Sequence, residues 1–118
     1  PQRGKPVTMK PFLLVCLIFI TLTSHKSHSA EIDWQGLDRA RIDLALPLLV
    51  IKGTKGLLAC GYVNVETCDK TEEACAIVSG VMNHNDMLVA TVNAVSPRAS
   101  ALGVTIGMTG AEALERLR

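Results

Sequence analysis

One stretch, residues 48–63, constrains the fold more than any other part of the chain. It reads LLVIKGTKGLLACGYV, so two apolar runs flank the five-residue polar connection KGTKG. Such runs around a glycine-containing connection are typical of a β-hairpin, with the glycines expected where a tight turn needs a positive φ. Because the runs are apolar at successive positions, we expect both strands to be central in a sheet and covered by helices.

Residues 39–46, just before the hairpin, alternate in polarity. The apolar positions that share one face are Ala40, Ile42, Leu44 and Leu46. A period of two predicts a strand with one buried face and one solvated face. Pro47 interrupts it, as an edge position or a bulge allows.

A single helix is predicted over residues 66–79. Asn64 or Thr67 can cap its start, and Gly80 follows as its stop. Cys68 and Cys75 then lie on one face, about two turns and roughly 10 Å apart along the axis. That separation is too large for a disulfide.

The remaining elements are shorter. A turn or short helix is predicted from Asn83 to Leu88, a strand over residues 90–95, and a helix that begins at Ser96-Pro97. Residues 104–106 are expected to be extended, and Thr109 and Glu112 form a capping box that opens a last helix. The predicted fold class is α+β, a small mixed sheet with three to four helices packed on it.

Composition favours a core of aliphatic side chains and a surface with little charge. Hydrophobic residues make up 48% of the 118 residues and aromatic residues 3%. Charged residues make up 19%, below the roughly 25% of an average domain, so a homo-oligomer is expected. Residues 31–118 carry a net charge of −3 without a basic cluster. That charge argues against nucleic acid as a partner.

The chain divides into an N-terminal extension, residues 1–30, and a domain, residues 31–118. The extension has a charged start, a nine-residue apolar run and a small polar tail, which resembles a signal peptide. Either it is an export signal, or it is upstream sequence outside the working protein. Three free thiols in the domain favour a cytoplasmic protein. Contact with a membrane is expected only if residues 9–30 are retained.

Several separated motifs resemble the YunC-like family, a bacterial and archaeal domain of unknown function. They are Leu46-Pro47, Lys55-Gly56, Cys60-Gly61, Gly80-Val81 and the segment LGVTIGMTGAEAL at residues 102–114. The similarity covers roughly residues 36–117 and leaves the extension outside. It implies a compact α+β domain and no settled activity.

Cys60 is the first candidate site residue. It ends the second hairpin strand beside Gly61, where a ligand could approach the backbone. A nucleophilic cysteine needs a neighbouring base or cation, and His84 is the only histidine of the domain. The alternative is that Cys60 is a small buried hydrophobe of a central strand.

A second candidate site is the loop formed by Gly107, Met108, Thr109 and Gly110. A glycine-flanked loop that enters a helix offers backbone N–H groups and the positive end of the helix dipole, which suit a small anionic ligand. The alternative is an ordinary turn followed by a capping box.

No metal site and no cofactor are predicted. The segment NHND at residues 83–86 could offer oxygen ligands to a cation, although a polar turn accounts for it. His25 and His28 have no third ligand beside them.

The leading hypothesis is a non-catalytic ligand-binding or protein-interaction module that self-associates, with an anion site at residues 107–110. The alternative is a thiol-dependent enzyme or redox-responsive protein that uses Cys60, with His84 or a lysine as activator.

Overall fold

The computed structural model describes residues 32–118, which form a five-stranded mixed sheet and four helices. The predicted N-terminal signal lies outside the described residues. The strands are β1 (Asp38–Ile42), β2 (Leu48–Lys52), β3 (Leu57–Ala59), β4 (Cys75–Ile77) and β5 (Ala94–Val95). The helices are α1 (Val65–Thr71), α2 (His84–Val89), α3 (Pro97–Ala101) and α4 (Gly110–Leu117). The predicted α+β class is confirmed.

The strands lie in the order in which they follow one another along the chain. All neighbouring pairs are antiparallel except β3 and β4, which are parallel and are joined through α1. A parallel pair needs such a crossover connection, whereas the antiparallel pair β2–β3 needs only the short turn that the sequence predicts. The hairpin is therefore confirmed, and its strands are central.

The main core lies on one face of the sheet. Leu49, Ile51 and Leu58 from the hairpin pack with Met87 of α2 and Leu114 of α4 in one buried cluster. Alternate positions of the β4 segment, Ala74, Ala76 and Val78, face the same cluster, as the period of a strand requires.

The predicted helix over residues 66–79 is wrong in its second half. Helix α1 ends at Thr71, and Glu72 takes the left-handed conformation with a φ of 61°. The chain then turns and enters β4, so Cys75 lies in a strand and Gly80 does not stop a helix. The start was predicted correctly, because the side chain of Asn64 caps α1 by accepting from the backbone N–H of Glu66.

This change of direction also overturns the prediction of free thiols. Cys68 of α1 and Cys75 of β4 form a disulfide, with their Cα atoms 6.3 Å apart. Of the cysteines in residues 32–118, Cys60 is the free one. The prediction of a reducing compartment rested on three free thiols, and two of these three cysteines are joined in the disulfide.

The glycines of the hairpin turn are also needed for a different reason than predicted. Neither Gly53 nor Gly56 has a positive φ. A Cβ atom on Gly53 would collide with the carbonyl of Leu117, and one on Gly56 would collide with the carbonyl of Ala74. The turn needs glycine because two backbone segments pass against it.

Two further predictions need correction. The expected buried face of residues 39–46 is exposed, with Ile42 at 56% and Leu46 at 55% of their full exposure. Residues 104–106 form no strand but lead into a turn. By contrast, the cap at Ser96 and the capping box of Thr109 and Glu112 are confirmed, and the turn or short helix predicted from Asn83 is a helix.

Within residues 32–118, no helix combines the length and the apolar character needed to cross a membrane.

Candidate functional site

A groove of about 580 Å³ opens at one end of the sheet. Three chain segments line it: the entry to β2, the exit from β3 and the exit from β4. The lining residues are Leu46, Pro47, Cys60, Gly61, Tyr62, Ser79, Gly80, Val81 and Met82.

The topology places these segments together. Strands β3 and β4 are parallel, so their carboxyl ends meet at the same edge of the sheet, and β2 runs antiparallel to β3 and begins there. A crevice outside the carboxyl ends of parallel strands is where open α/β sheets bind ligands. Gly80 has a φ of 73° and turns the chain away after β4. Glycine adopts this backbone conformation at little steric cost because it has no Cβ atom.

The walls of the groove are apolar and uncharged. Leu46, Tyr62 and Met82 are each about half exposed at its rim. Among residues 32–118, none of those that line it carries a charged side chain. The side-chain hydroxyls available are those of Tyr62 and Ser79, and the Ser79 hydroxyl already accepts from the Asn93 side-chain amide over 2.8 Å.

Exposed backbone donors lie among the residues that line the groove. The last ladder bond between the parallel strands runs from the N–H of Val78 to the carbonyl of Ala59. Beyond it, the N–H groups of Gly61, Ser79 and Gly80 have no acceptor within residues 32–118. All three residues are exposed, so water reaches these donors, and a ligand oxygen can take its place as the acceptor.

Cys60 lies in this groove but is nearly buried, at 4% exposure. Its backbone N–H donates to the carbonyl of Leu49 over 3.0 Å, and its Sγ accepts from the N–H of Leu49 over 3.3 Å. The thiol therefore also serves as a hydrogen-bond acceptor that continues the β2–β3 ladder.

The residues predicted to activate the Cys60 thiol lie elsewhere in the described structure. The Nε2 atom of His84 is 2.9 Å from the carbonyl oxygen of Ala40, and His84 does not line the groove. Lys55 and Arg98 line a separate cavity of about 330 Å³. There Arg98 forms an ion pair with Glu72 over 3.0 Å.

The predicted anion loop uses its backbone donors within the protein. The N–H of Gly107 donates to Val92 over 2.9 Å, that of Thr109 to the Glu112 side chain over 2.9 Å, and that of Gly110 to Ala90 over 2.9 Å. The N–H of Met108 makes a longer bond, 3.4 Å, to the carbonyl of Thr105. An anion would have to compete with these acceptors, so this site stays a prediction.

The NHND segment caps α2. The Asn83 side chain accepts from the N–H of Asp86, and the Asp86 carboxylate accepts from the N–H of Met82 over 3.0 Å. Across residues 32–118, no three or more His, Cys, Asp or Glu side chains are grouped so that they could hold a metal ion.

Sequence reasoning missed most of the groove because it placed Ser79 and Gly80 at the end of a helix. A signal was present: Ala74 to Val78 is a continuous apolar run of five residues, followed by Ser79 and Gly80. Such a run is typical of a strand buried on both faces.

Comparison with known proteins places the chain among uncharacterised domains. Residues 59–117 match the family described as a domain of unknown function, DUF1805. No curated protein matches the sequence. The chain is similar to TA1206, a protein of unknown function from Thermoplasma acidophilum whose crystal structure is known. The two are 30% identical with a TM-score of 0.61, over 74% of this chain and 100% of that protein. The chain belongs to the DUF1805 family of domains of unknown function.

Proposed function

We propose that this domain is a ligand-binding module whose site is the groove at the carboxyl ends of β3 and β4. The proposal is carried by the backbone N–H groups of Gly61, Ser79 and Gly80, which have no hydrogen-bond acceptor among the described residues. These groups lie among the apolar side chains that line the groove. The ligand is a small molecule with an apolar body and one carbonyl or carboxylate oxygen.

The dimensions and chemistry of the groove support this ligand class. Its volume of about 580 Å³ falls within the range of roughly 300–1,000 Å³ for small-molecule sites. Leu46, Val81 and Met82 offer apolar contact, and free N–H groups offer donors to an oxygen. Because no charged side chain of the described part of the chain lines the groove, binding depends on these donors and on apolar contact rather than on an ion pair.

A thiol-dependent reaction at Cys60 is not favoured. The thiol is nearly buried, and none of the described residues that line the groove beside it is a base or a cation. Two further expectations remain predictions: the resemblance to the YunC-like family and the cytoplasmic location.

The test is a titration of the isotope-labelled full chain followed by backbone amide NMR. Octanoate and octanamide are the probes for the groove, and inorganic phosphate is the probe for residues 107–110. We expect both eight-carbon probes to shift the amide signals of Gly61 and Gly80. Unmoved groove amides at millimolar concentrations of both probes would refute the proposal. A phosphate response at Gly107 and Ala111 alone would favour the anion loop.

A groove-filling variant makes the test specific. Gly61 does not have a positive φ, and a Cβ atom on it would meet Ser79 Oγ at 3.7 Å, an ordinary contact. Gly61→Leu should therefore fold and abolish the response of Gly80. Ser100→Leu, on an exposed position of α3, is the matched control and should leave the response unchanged.

A further inference from the structure

The hydroxyl of Ser79 has a proton that no described residue accepts. The side-chain Nδ2 of Asn93 donates to Ser79 Oγ over 2.8 Å, so this bond uses a lone pair of the hydroxyl and not its proton. A serine hydroxyl can donate one hydrogen bond and accept two. Within residues 32–118, the Ser79 hydroxyl donates to no other group, so its proton is available to a molecule in the groove that Ser79 lines.

The backbone around Asn93 is fixed on two sides. The N–H of Asn93 donates to the carbonyl of Ile77 at the end of β4 over 2.9 Å. The N–H of the preceding residue, Val92, donates to the carbonyl of Met108 over 2.8 Å. Asn93 is not among the described residues that line the groove. Its side chain therefore acts from a fixed position, and it reaches the groove through Ser79.

The Ser79 hydroxyl lies between the exits of the two parallel strands. Ser79 follows β4, and a Cβ atom built on Gly61, which follows β3, would be 3.7 Å from Ser79 Oγ. The hydroxyl is thus close to a residue whose backbone N–H has no acceptor in the described part of the chain. Because a carbonyl oxygen has two lone pairs, one ligand oxygen between the strand exits can accept from the hydroxyl and from a backbone N–H together.

We propose that the Ser79 hydroxyl donates a hydrogen bond to the carbonyl or carboxylate oxygen of the ligand, and that Asn93 is the positioning residue for this hydroxyl. The inference rests on the proposed function of the groove and adds a side-chain contact to it. The Asn93 amide occupies a lone pair of Ser79 Oγ and so directs the hydroxyl proton away from itself. Fixing the hydroxyl before the ligand binds reduces the rotational freedom that binding would otherwise remove.

The first test removes the Ser79 hydroxyl and measures Kd by backbone amide NMR on the full chain. The probe is 2-octanone, which is uncharged and whose carbonyl oxygen only accepts hydrogen bonds. Ser79→Ala should raise its Kd about threefold to tenfold, the effect of one hydrogen bond, while the Gly80 signal still responds. Ser79→Thr keeps a hydroxyl and should bind like the parent chain. Ser79 is exposed, so both variants should fold.

The parent chain distinguishes failure of this inference from failure of the proposed function. If neither 2-octanone nor octanoate moves the Gly61 and Gly80 signals of the parent chain, both are overturned. If the parent chain binds 2-octanone and Ser79→Ala binds it equally well, the proposed function stands and this inference alone is overturned.

The second test reverses the hydrogen bond between Asn93 and Ser79. Asn93→Asp replaces the amide donor with a carboxylate that only accepts, so the Ser79 proton is no longer available to the ligand. This variant should lose about as much affinity for 2-octanone as Ser79→Ala. Adding Asn93→Asp to Ser79→Ala should cause no further loss, because the hydroxyl is already absent. Asn85→Asp introduces the same charge at an exposed residue outside the groove lining, so it is the matched control and should bind like the parent chain.

Two results would show that Asn93 does not act through Ser79. One is an Asn93→Asp variant with the affinity of the parent chain. The other is a double variant, Ser79→Ala/Asn93→Asp, that binds 2-octanone more weakly than Ser79→Ala alone. Either result would overturn the positioning role of Asn93.

Discussion

Ser96 is the one fully buried polar side chain among residues 32–118, and it connects three segments. Its hydroxyl donates to the carbonyl of Glu73 over 2.8 Å and accepts from the N–H of Cys75 over 2.9 Å. It also accepts from the N–H of Ala99 over 3.4 Å as the N-cap of α3. The hydroxyl therefore holds the entry to β4 against the start of a helix.

Ser96→Ala should lower the free energy of unfolding by about 2–3 kcal/mol. The substitution removes a helix cap and leaves buried backbone groups without partners, and each of these effects costs about 1–2 kcal/mol or more. Urea denaturation measures the difference. Ser100→Ala, on an exposed position of the same helix, is the control and should change stability by less than about 0.5 kcal/mol. Equal stability of the two variants would contradict this role.

The capping residues were the most accurate part of the sequence prediction, and the reason is physical. Asn64, Ser96 and Thr109 each satisfy a backbone N–H two or three residues away, so the signal is local. The function of Gly56 could not be predicted in this way, because the atoms that require a glycine there belong to Ala74 and Leu117.

At the scale of elements, the largest error was to join α1 and β4 into one helix. Cys68 and Cys75 are seven residues apart. That spacing is compatible with two positions on one face of a helix, and also with a helix after which the chain reverses direction. Helical spacing therefore did not decide between them. Tertiary contact decided it, because the residues after Glu72 gain a place between β3 and β5 in the sheet.

The Cys68–Cys75 disulfide fixes the junction between α1 and β4. It closes a short loop, and the chain-entropy account gives about 2.5 kcal/mol of stabilisation for a loop of this length. Adding a reductant should therefore lower the free energy of unfolding of the full chain by about 2–3 kcal/mol. Urea denaturation with and without reductant measures this change.

A double variant provides the control for that prediction. Cys68→Ala/Cys75→Ala should be as unstable as the reduced chain, and reductant should not change its stability further. If reductant destabilised the double variant as much as the parent chain, the effect would not come from this bond. Peptide mapping without reduction should recover the linked pair from the parent chain.

For the whole molecule, the class and the hairpin followed from the sequence, but the groove and the free face of β1 did not. The groove exists because the exits of β3 and β4 meet, and β4 was not predicted. The alternation of residues 39–46 predicted a buried face, but Ile42, Leu44 and Leu46 are exposed. A pattern within one strand does not specify whether another element packs on it.

The hairpin turn joins distant parts of the molecule through a close backbone approach. The N–H groups of Lys55 and Gly56 donate to the carbonyl of Leu117 over 2.9 and 3.2 Å. A Cβ atom at Gly56 would also lie 2.7 Å from both the Ala74 Cβ and the Leu117 Cδ2 atoms. The turn thus contacts the entry to β4 and the C-terminal end of α4 together.

Gly56→Ala should lower the free energy of unfolding by about 2–3 kcal/mol, because the new methyl group must displace backbone on one side and a core side chain on the other. Gly61→Ala is the matched control: its Cβ meets Ser79 Oγ at 3.7 Å, and its φ is not positive. That variant should be neutral or more stable by up to about 1 kcal/mol, since alanine restricts the unfolded chain. Urea denaturation at one fixed protein concentration compares the two, because association would otherwise shift the midpoint. Equal stability of the two variants would mean that the turn can move away from Ala74 and Leu117. The hairpin would then not be held to the rest of the core at this end.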